Sequence, residues 1–355
     1  MKIAIIGAGV GGLACARECE KLGIIPDVFE RNNTVGWTWL AADIWLNDIE
    51  RKGSDILAYL KDNFGLILQP IAECKTIIIK SPNKEVRIQG KHGYFIPKGM
   101  ERNSLEKQLM NEIKSTSVHF NRPADYKELS EKHDYVVIAT GKETAAKELG
   151  VWEDCGRVHI REAMAVGSFD INTSNLYFDT EYAGHGYARI LPLRPTQAMI
   201  GLANISTDET DLDSLFTKFI EKEDLAHLEF VFKLSEPIYS TGRVSKFRVG
   251  NVLLVGRAAG LTDRFMGFGG INAILSGILA ARAIIKDMDY DKMIKPLKDH
   301  TENVSAFRQP LEKFENNDFD RLISLIGTPG IKQLLYNSGI NFVDFGGSVL
   351  KMMYH

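Results

Sequence analysis

Cysteine is scarce in this chain and follows no recognisable pattern. Only four cysteines occur among 355 residues, and no Cys or His follows Cys15 and Cys19 at the spacing of a metal site. Two cysteines four residues apart on a predicted helix are more typical of a packed face than of a ligand pair. The sequence therefore predicts no metal centre, and this cysteine usage fits a reducing cytoplasm.

Long apolar runs and an excess of basic residues are also absent. No apolar run reaches the roughly 20 residues that a bilayer-spanning helix needs. The formal net charge of −3 offers no general attraction for nucleic acid. Because the chain begins directly with a predicted strand, we expect no signal peptide and a cytoplasmic location. Peripheral membrane contact through the basic segment of residues 331–335 and 350–353 stays open beside packing of this segment on the N-terminal domain.

The first thirty residues carry the most informative pattern. A predicted strand, residues 3–6, turns at three glycines into a helix of small residues, and a second strand ends at Glu30. This order of elements is typical of a dinucleotide-binding site, in which the helix N-terminus and the turn approach a pyrophosphate and the acid accepts from a ribose. The predicted ligand contacts are Gly7, Gly9, Val10, Gly11, Gly12, Glu30 and Arg31. The acid disfavours NADP, while NAD and FAD both stay open on this motif.

Two later segments have the same strand-to-turn character. Residues 135–139 are a predicted buried strand that ends at Thr140 and Gly141, and residues 252–255 precede a glycine-rich turn and a helix from 270 to 285. Between the three segments of this kind, residues 67–96 and 157–205 read as β-structure and residues 211–233 as helix. The sequence therefore predicts an α/β fold in which a nucleotide-binding domain is interrupted by a β-rich domain.

The glycine-rich turn after residue 255 carries a family resemblance. The chain resembles FAD-dependent oxidoreductases with the p-hydroxybenzoate hydroxylase fold, and within them most closely the geranylgeranyl reductase branch, with its Gly-Asp-Ala-Ala-Gly turn, G-x-G and small-residue helix. The matching positions are Gly256, Ala258, Ala259, Gly260, Gly267, Gly269, Ala273, Ser276 and Gly277. The resemblance implies FAD as the cofactor, with the start of the late helix facing its pyrophosphate and the flavin ring.

The resemblance implies a domain plan and further cofactor residues. A discontinuous Rossmann-like FAD-binding domain, a parallel sheet flanked by helices, would comprise residues 1–66, 97–155 and 240–290. A β-sheet substrate domain would comprise 67–96 and 156–239, and 291–355 would form a helical C-terminal segment. The implied cofactor contacts are Arg102, Thr140, Gly141, Gly256, Arg257, Gly267, Gly269, Gly270 and Ile271.

A second matching segment concerns the substrate. Residues 186–192, Gly-Tyr-Ala-Arg-Ile-Leu-Pro, resemble the reductases' Gly-Tyr-x-Trp-x-Phe-Pro, which shapes a cavity for a polyprenyl chain. The resemblance implies Tyr187, Arg189 and Leu191 as pocket residues. Trp37 and Trp39 are further candidates for walling the flavin or an apolar substrate, with a role in the core or at an interface as the equal alternative.

The chain also departs from the family pattern. Arg257 replaces the aspartate that binds the ribityl chain, and Thr140 replaces the aspartate of the hydroxylases' Asp-Gly motif. Arg189 replaces the cavity tryptophan, Leu191 its phenylalanine and Arg264 a common proline. An arginine for an aspartate exchanges an acceptor for a cation that only donates. Arg257 would pair with the pyrophosphate instead.

The predicted function follows from these motifs. The chain has no G-x-S-x-G motif, P-loop or spaced acid pair, so the chemistry would belong to the flavin and no catalytic side chain is predicted. We expect an FAD-dependent oxidoreductase that reduces carbon–carbon double bonds of an apolar, isoprenoid-like substrate by hydride transfer. The alternatives are an FAD-dependent monooxygenase and a redox-inactive binding protein of the same fold. The electron donor, NAD(P)H or ferredoxin, and the oligomeric state stay open.

Overall fold

A computed structural model describes residues 1–36, 41–50, 55–205, 211–235 and 239–328. The chain divides into two compact units. Unit 1 comprises Met1–Thr38, Lys98–Gly156 and Ser240–Ala306, and unit 2 comprises Trp39–Pro97, Arg157–Tyr239 and Phe307–His355. These bounds differ from the predicted domain bounds chiefly at residues 39–66, which fall in unit 2, and at 291–306, which fall in unit 1.

The described elements are as follows. The strands are β1 (Ile3–Ile6), β2 (Asp27–Phe29), β3 (Ala42–Leu46), β4 (Ala72–Ser81), β5 (Lys84–Pro97), β6 (Val118–His119), β7 (Tyr135–Ile138), β8 (Trp152–Val166), β9 (Thr173–Tyr177), β10 (Tyr187–Arg194), β11 (Gln197–Asn204), β12 (Glu229–Ser235), β13 (Tyr239–Val244), β14 (Arg248–Val249) and β15 (Val252–Leu254). The helices are α1 (Val10–Lys21), α2 (Asn47–Glu50), α3 (Ile56–Phe64), α4 (Leu105–Glu112), α5 (Tyr126–Lys132), α6 (Thr144–Glu148), α7 (Thr180–Ala183), α8 (Leu212–Lys222), α9 (Gly270–Ile285), α10 (Tyr290–Ser305), α11 (Arg308–Leu311) and α12 (Asn316–Ile326).

Unit 1 is built on a mostly parallel sheet. Its strand order is β14-β15-β7-β1-β2-β6, in which the pairs from β15 to β6 are parallel and β14 is antiparallel to β15. All four residues of β1 are buried, as expected of a central strand covered on both faces. The carboxyl ends of β15, β7, β1 and β2 therefore lie along one edge of the sheet, where ligands of open α/β sheets bind.

Helices α1 and α9 pack against each other in the core of unit 1. Both are rich in small residues, and most of their side chains are buried. Tyr290, at the start of α10, is buried as well and donates its hydroxyl hydrogen to the carbonyl oxygen of Leu254 over 2.9 Å. These contacts attach the end of β15 and the start of α10 to the same core.

Unit 2 contains a larger mixed sheet. Its strand order is β12-β8-β11-β10-β9-β4-β5-β3. β13, most of which belongs to unit 1, pairs with β8, whose first residues also belong to unit 1. One face of β10 and β11 packs on α8 in a core that includes Ile190, Leu202 and Phe219. The predicted β-structure of residues 67–96 includes a hairpin in which β4 and β5 pair antiparallel on either side of Pro82.

One predicted helix is shorter than its sequence pattern. Residues 211–233 were expected to be helical throughout, whereas α8 ends at Lys222 and β12 begins at Glu229. Asp224 has φ of 54°, a left-handed conformation that no helix continues through. After this turn the chain pairs antiparallel with β8, which gives the apolar residues from Phe230 onward a sheet partner. The predicted α/β class, with a Rossmann-like sheet and a second sheet, is confirmed.

Candidate functional site

Four chain turns meet at the carboxyl edge of the sheet in unit 1. Gly7 follows β1, Glu30 follows β2, Thr140 lies just beyond β7, and Gly256 lies just beyond β15. A Cβ atom added to Gly7 would lie 2.6 Å from the carbonyl oxygen of Ala139, so the first and third turns touch. The fold thus brings together residues that are more than 200 positions apart in sequence.

The first turn requires glycine at two positions. Gly7 has φ of +103°, which L side chains rarely adopt. A Cβ on Gly12 would lie 1.9 Å from the carbonyl oxygen of Gly7, so α1 crosses the turn at backbone distance. Both restrictions match the two uses of glycine that the dinucleotide-binding motif predicts, a tight turn and close packing of helix on strand.

Glu30 holds the turn from the neighbouring strand. One carboxylate oxygen accepts from the backbone N–H of Ala8 over 2.9 Å. The other accepts from the backbone N–H and from the side-chain amide of Asn32, each over 2.9 Å. Only 9% of Glu30 is exposed. The carboxylate predicted to accept from a ribose therefore also positions the glycine turn.

The same edge has room and donors for an anion. A Cβ on Gly9, Gly141 or Gly267 would meet no atom within 4 Å. Among the described residues, no side chain caps the N-terminus of α1, which begins with Val10, Gly11 and Gly12, and none caps α9. The first N–H groups of a helix have no partner within the helix and carry its positive dipole end. This arrangement is suited to binding phosphate.

The turn after β15, which begins at Gly256, is attached to α9. Gly256 has φ of +58°, and its N–H donates to the hydroxyl of Ser276 over 2.9 Å. A Cβ on Gly277 would lie 2.2 Å from the carbonyl oxygen of Gly11, so α1 and α9 are in backbone contact. Ser276 is a site residue that the sequence reasoning matched to a motif without giving it a role.

Asp263 organises the loop before α9 and was missed at the sequence level. One of its carboxylate oxygens accepts from the N–H groups of Phe265, Met266 and Gly267, at 2.9, 2.7 and 3.3 Å. Burial raises the pKa of this carboxyl to about 6, although the backbone donors oppose the shift. Aspartate often accepts from N–H groups just beyond it in a turn, and this preference was the available signal.

Several other predicted cofactor contacts are polar or charged. Arg31, Arg102 and Thr140 are exposed, and Arg257 is half-buried in the short 3₁₀ turn after Gly256. Within the described ranges, no hydrogen bond joins Arg31 or Arg102 to the glycine turns. At the start of α9, Gly269 is the N-terminal cap, Gly270 begins the helix and Ile271 is fully buried.

Three predicted pocket residues lie in unit 2. Tyr187, Arg189 and Leu191 alternate along β10 and share the sheet face opposite the core that contains Ala188 and Ile190. Tyr187 and Leu191 are buried, and Arg189 is partly exposed. Trp37 and Trp39 lie outside the described residues, as do residues 331–335 and 350–353.

Sequence comparison gives short matches. The family model "NAD(P)-binding Rossmann-like domain" matches residues 5–46. Human flavin-containing monooxygenase 3 is 50% identical over 42 residues, which are 12% of this chain and 8% of that protein. The family-model match begins within β1 and covers α1 and β2, and the monooxygenase match covers less than a tenth of that protein.

Structural comparison extends over the whole chain. A geranylgeranyl bacteriochlorophyll reductase-like protein from Thermoplasma acidophilum aligns with a TM-score of 0.72 and 16% identity, covering 98% of each chain. The flavin-dependent brominase Bmp2 aligns with a TM-score of 0.68 and 14% identity, covering 99% of each chain. The chain has a flavoprotein fold. The resemblance seen in the sequence is thus confirmed at the level of fold.

Two kinds of feature are absent from the described residues. No helix among them is long and apolar enough to cross a membrane. In the same residues, no group of three or more His, Cys, Asp and Glu side chains is arranged to hold a metal ion.

Proposed function

We propose that the protein is an FAD-dependent oxidoreductase that reduces a carbon–carbon double bond of a largely apolar substrate. The observation that carries this proposal is a pair of glycine-rich segments in unit 1, residues 7–12 and residues 267–270. Each leads into a helix, α1 or α9, for which the described residues provide no side-chain cap. A single such turn suits NAD or FAD, whereas two turns at one sheet edge suit the longer reach of FAD. The flavoprotein fold supports the same choice.

The residues of this edge fit the cofactor. Gly9 leaves its Cβ position open beside uncapped N–H groups, which suits a pyrophosphate, and Glu30 has a carboxylate next to the same turn to face a ribose. Thr140 and Gly141 would lie along the cofactor, while Gly267, Gly269 and Ile271 would lie near its ring. Arg102, Arg31 and Arg257 would balance the phosphate charge.

The cofactor would supply hydride transfer when bound, and the protein would orient cofactor and substrate and provide the surrounding charges. The N–H groups at the start of α9 stabilise negative charge near them. Tyr187, Arg189 and Leu191 would line the substrate site. NAD(P)H or ferredoxin would regenerate the reduced cofactor.

A glycine substitution tests the cofactor site. Gly9→Ala should leave the unfolding midpoint unchanged, because the added Cβ meets no protein atom within 4 Å. If phosphate occupies that space, FAD affinity should fall about tenfold or more, as expected for losing one or two hydrogen bonds to a charged group. An absorbance titration with FAD measures the affinity, and a purified protein that stays colourless in excess FAD would contradict the proposal.

Monooxygenation is the second candidate, supported by the match to flavin-containing monooxygenase 3. A reductase should consume one equivalent of NAD(P)H or dithionite for each substrate double bond that it reduces, and it should do so without oxygen. Oxygen uptake stimulated by substrate, measured with an oxygen electrode, would favour the monooxygenase instead.

A further inference from the structure

A buried ion pair lies on the candidate substrate face of unit 2. Nη2 of Arg189 on β10 donates to Oε1 of Glu162 on β8 over 2.7 Å. Gly201 on β11 lies between them in register, opposite both residues. A Cβ on Gly201 would lie 2.9 Å from that same Oε1, so the glycine is what allows the pair to bridge the middle strand.

The pair leaves donors available on the arginine. A guanidinium carries five N–H groups, and Glu162 receives one of them. In the part of the chain that the structure describes, this is the only hydrogen bond of the Arg189 side chain. That side chain is 16% exposed, against 1% for Glu162. The remaining donors are therefore reachable while the rest of the side chain is enclosed.

The surroundings of Arg189 decide what charge a ligand can carry. Burial opposes the charge of Arg189, but Glu162, Tyr187 and, more weakly, Asp43 raise its pKa, so the guanidinium stays cationic. A ligand with a negative headgroup would meet both carboxylates in a poorly screened setting. A neutral acceptor meets no such repulsion. Tyr187 and Leu191, on either side along β10, are buried, so Arg189 is the partly exposed residue of this stretch of the strand.

We propose that Arg189 determines substrate specificity by donating a hydrogen bond to a neutral carbonyl oxygen on an otherwise apolar substrate. This inference rests on the proposed function and narrows its substrate class, from a plain hydrocarbon chain to an apolar ketone, aldehyde or ester. It also gives a role to the arginine that replaces the family's tryptophan.

Binding of simple probes to the full chain tests the inference. Octan-2-one, its hydrocarbon counterpart 2-methyl-1-octene, and octanoate are titrated by calorimetry with and without FAD. The ketone should bind about tenfold or more tightly than the olefin, as one hydrogen bond to a charged donor predicts, and more tightly than octanoate. Equal binding of ketone and olefin, tighter binding of octanoate, or no binding of any probe would overturn it.

Variants assign the preference to Arg189. Removing Arg189 alone would strand a buried carboxylate, so the variant is Arg189→Met with Glu162→Met, which replaces the ion pair by apolar chains of similar length. This double variant should lose the ketone preference and keep its affinity for the olefin. The control is Arg161→Met, which breaks the ion pair of Arg161 with the exposed Asp213 of α8 and should retain the preference.

A ketone preference that survives in the double variant would overturn the role of Arg189. FAD binding, followed separately by absorbance, distinguishes the two proposals. A protein that binds FAD without preferring the ketone refutes only the substrate inference, whereas one that binds no FAD refutes the proposed function.

Discussion

Glu30 shows how much a single side chain contributes to the carboxyl edge of the sheet in unit 1. Its two oxygens accept three hydrogen bonds, from Ala8 and Asn32, and the side chain is almost fully buried. A residue predicted from the motif to bind a ligand therefore also stabilises the turn in the protein itself.

Glu30→Gln should destabilise the protein and weaken FAD binding. Either orientation of the glutamine amide places its NH₂ group against an N–H donor, so the free energy of unfolding should fall by about 1–3 kcal/mol. Urea unfolding measures this change, and Glu128→Gln, at an exposed position of α5, should stay within about 0.5 kcal/mol of wild type. An unchanged unfolding midpoint in Glu30→Gln would mean that these bonds contribute nothing net.

Asp263 should make stability depend on pH. Burial raises its pKa to about 6 in the folded protein, whereas an unfolded chain ionises near the ordinary value of about 3.9. Between these values the folded state retains a proton that the unfolded state has lost, so this group lowers stability as pH rises from about 4 to about 6. A shift of two pKa units corresponds to ~3 kcal/mol.

Asp263→Asn removes that titration and keeps an oxygen for the loop N–H groups. The stability of the variant relative to wild type should therefore improve by up to ~3 kcal/mol between pH 4 and pH 7. Denaturant unfolding at several pH values gives the difference. A difference that is constant with pH would show that Asp263 does not titrate in this range.

The sequence revealed some of these residues and concealed others. Gly7 and Glu30 stand at fixed positions of a known motif, so their neighbourhood is predictable from local spacing. The role of Asp263 depends on three backbone N–H groups that point at one oxygen, which only the folded loop creates. Likewise, no spacing rule connects Glu162 with Arg189, because strand pairing brings them together across Gly201.

At the level of elements, α1 and α9 pack more closely than helices with side chains can. Gly277 meets the backbone of Gly11, and the small residues of both helices were visible in the sequence as a packing signal. The apolar pattern of residues 211–233, by contrast, predicted one continuous helix, and this prediction was wrong after Lys222. Its apolar residues after Lys222 serve a strand, since the turn at Asp224 and pairing with β8 override helix periodicity.

Gly277→Ala tests that close packing. Alanine favours a helix over glycine by about 1 kcal/mol, but its Cβ would lie 2.2 Å from a backbone oxygen that cannot rotate away. We expect a net loss of about 1–3 kcal/mol, as for other overpacked sites. The matched variant Gly11→Ala, whose Cβ would lie 3.2 Å from its nearest neighbour, should lose less in thermal unfolding. The reverse order would contradict the packing described.

At the level of the whole molecule, unit 1 is assembled from three separate chain segments. In its sheet, β7 from the second segment lies between β15 from the third segment and β1 from the first. The alternation of nucleotide-type and β-rich segments made this interruption predictable, whereas segment ends depend on which neighbours pack together. The domain bounds derived from the sequence stay a prediction.

A fragment of residues 1–156 should not fold cooperatively. It lacks β15, which pairs with β7, and α9, which covers α1, so apolar surface of the core would be exposed. Near-ultraviolet circular dichroism and a denaturant titration measure the loss of fixed packing. A sharp unfolding transition in the fragment would show that the first two segments suffice.

The glycine turn at the start of α1 and the turn after β15 both contact residues 273–277 of α9. Gly256 is bound to Ser276 and lies against Ala273, while Gly11 lies against Ala273 and Gly277. Gly11 meets α9 backbone to backbone, whereas Gly256 is held by the Ser276 hydroxyl, so a few small residues of α9 set the spacing of the two turns. The residue at position 257 can therefore change what the turn after β15 offers a ligand, while Ser276 and Ala273 hold that turn in place.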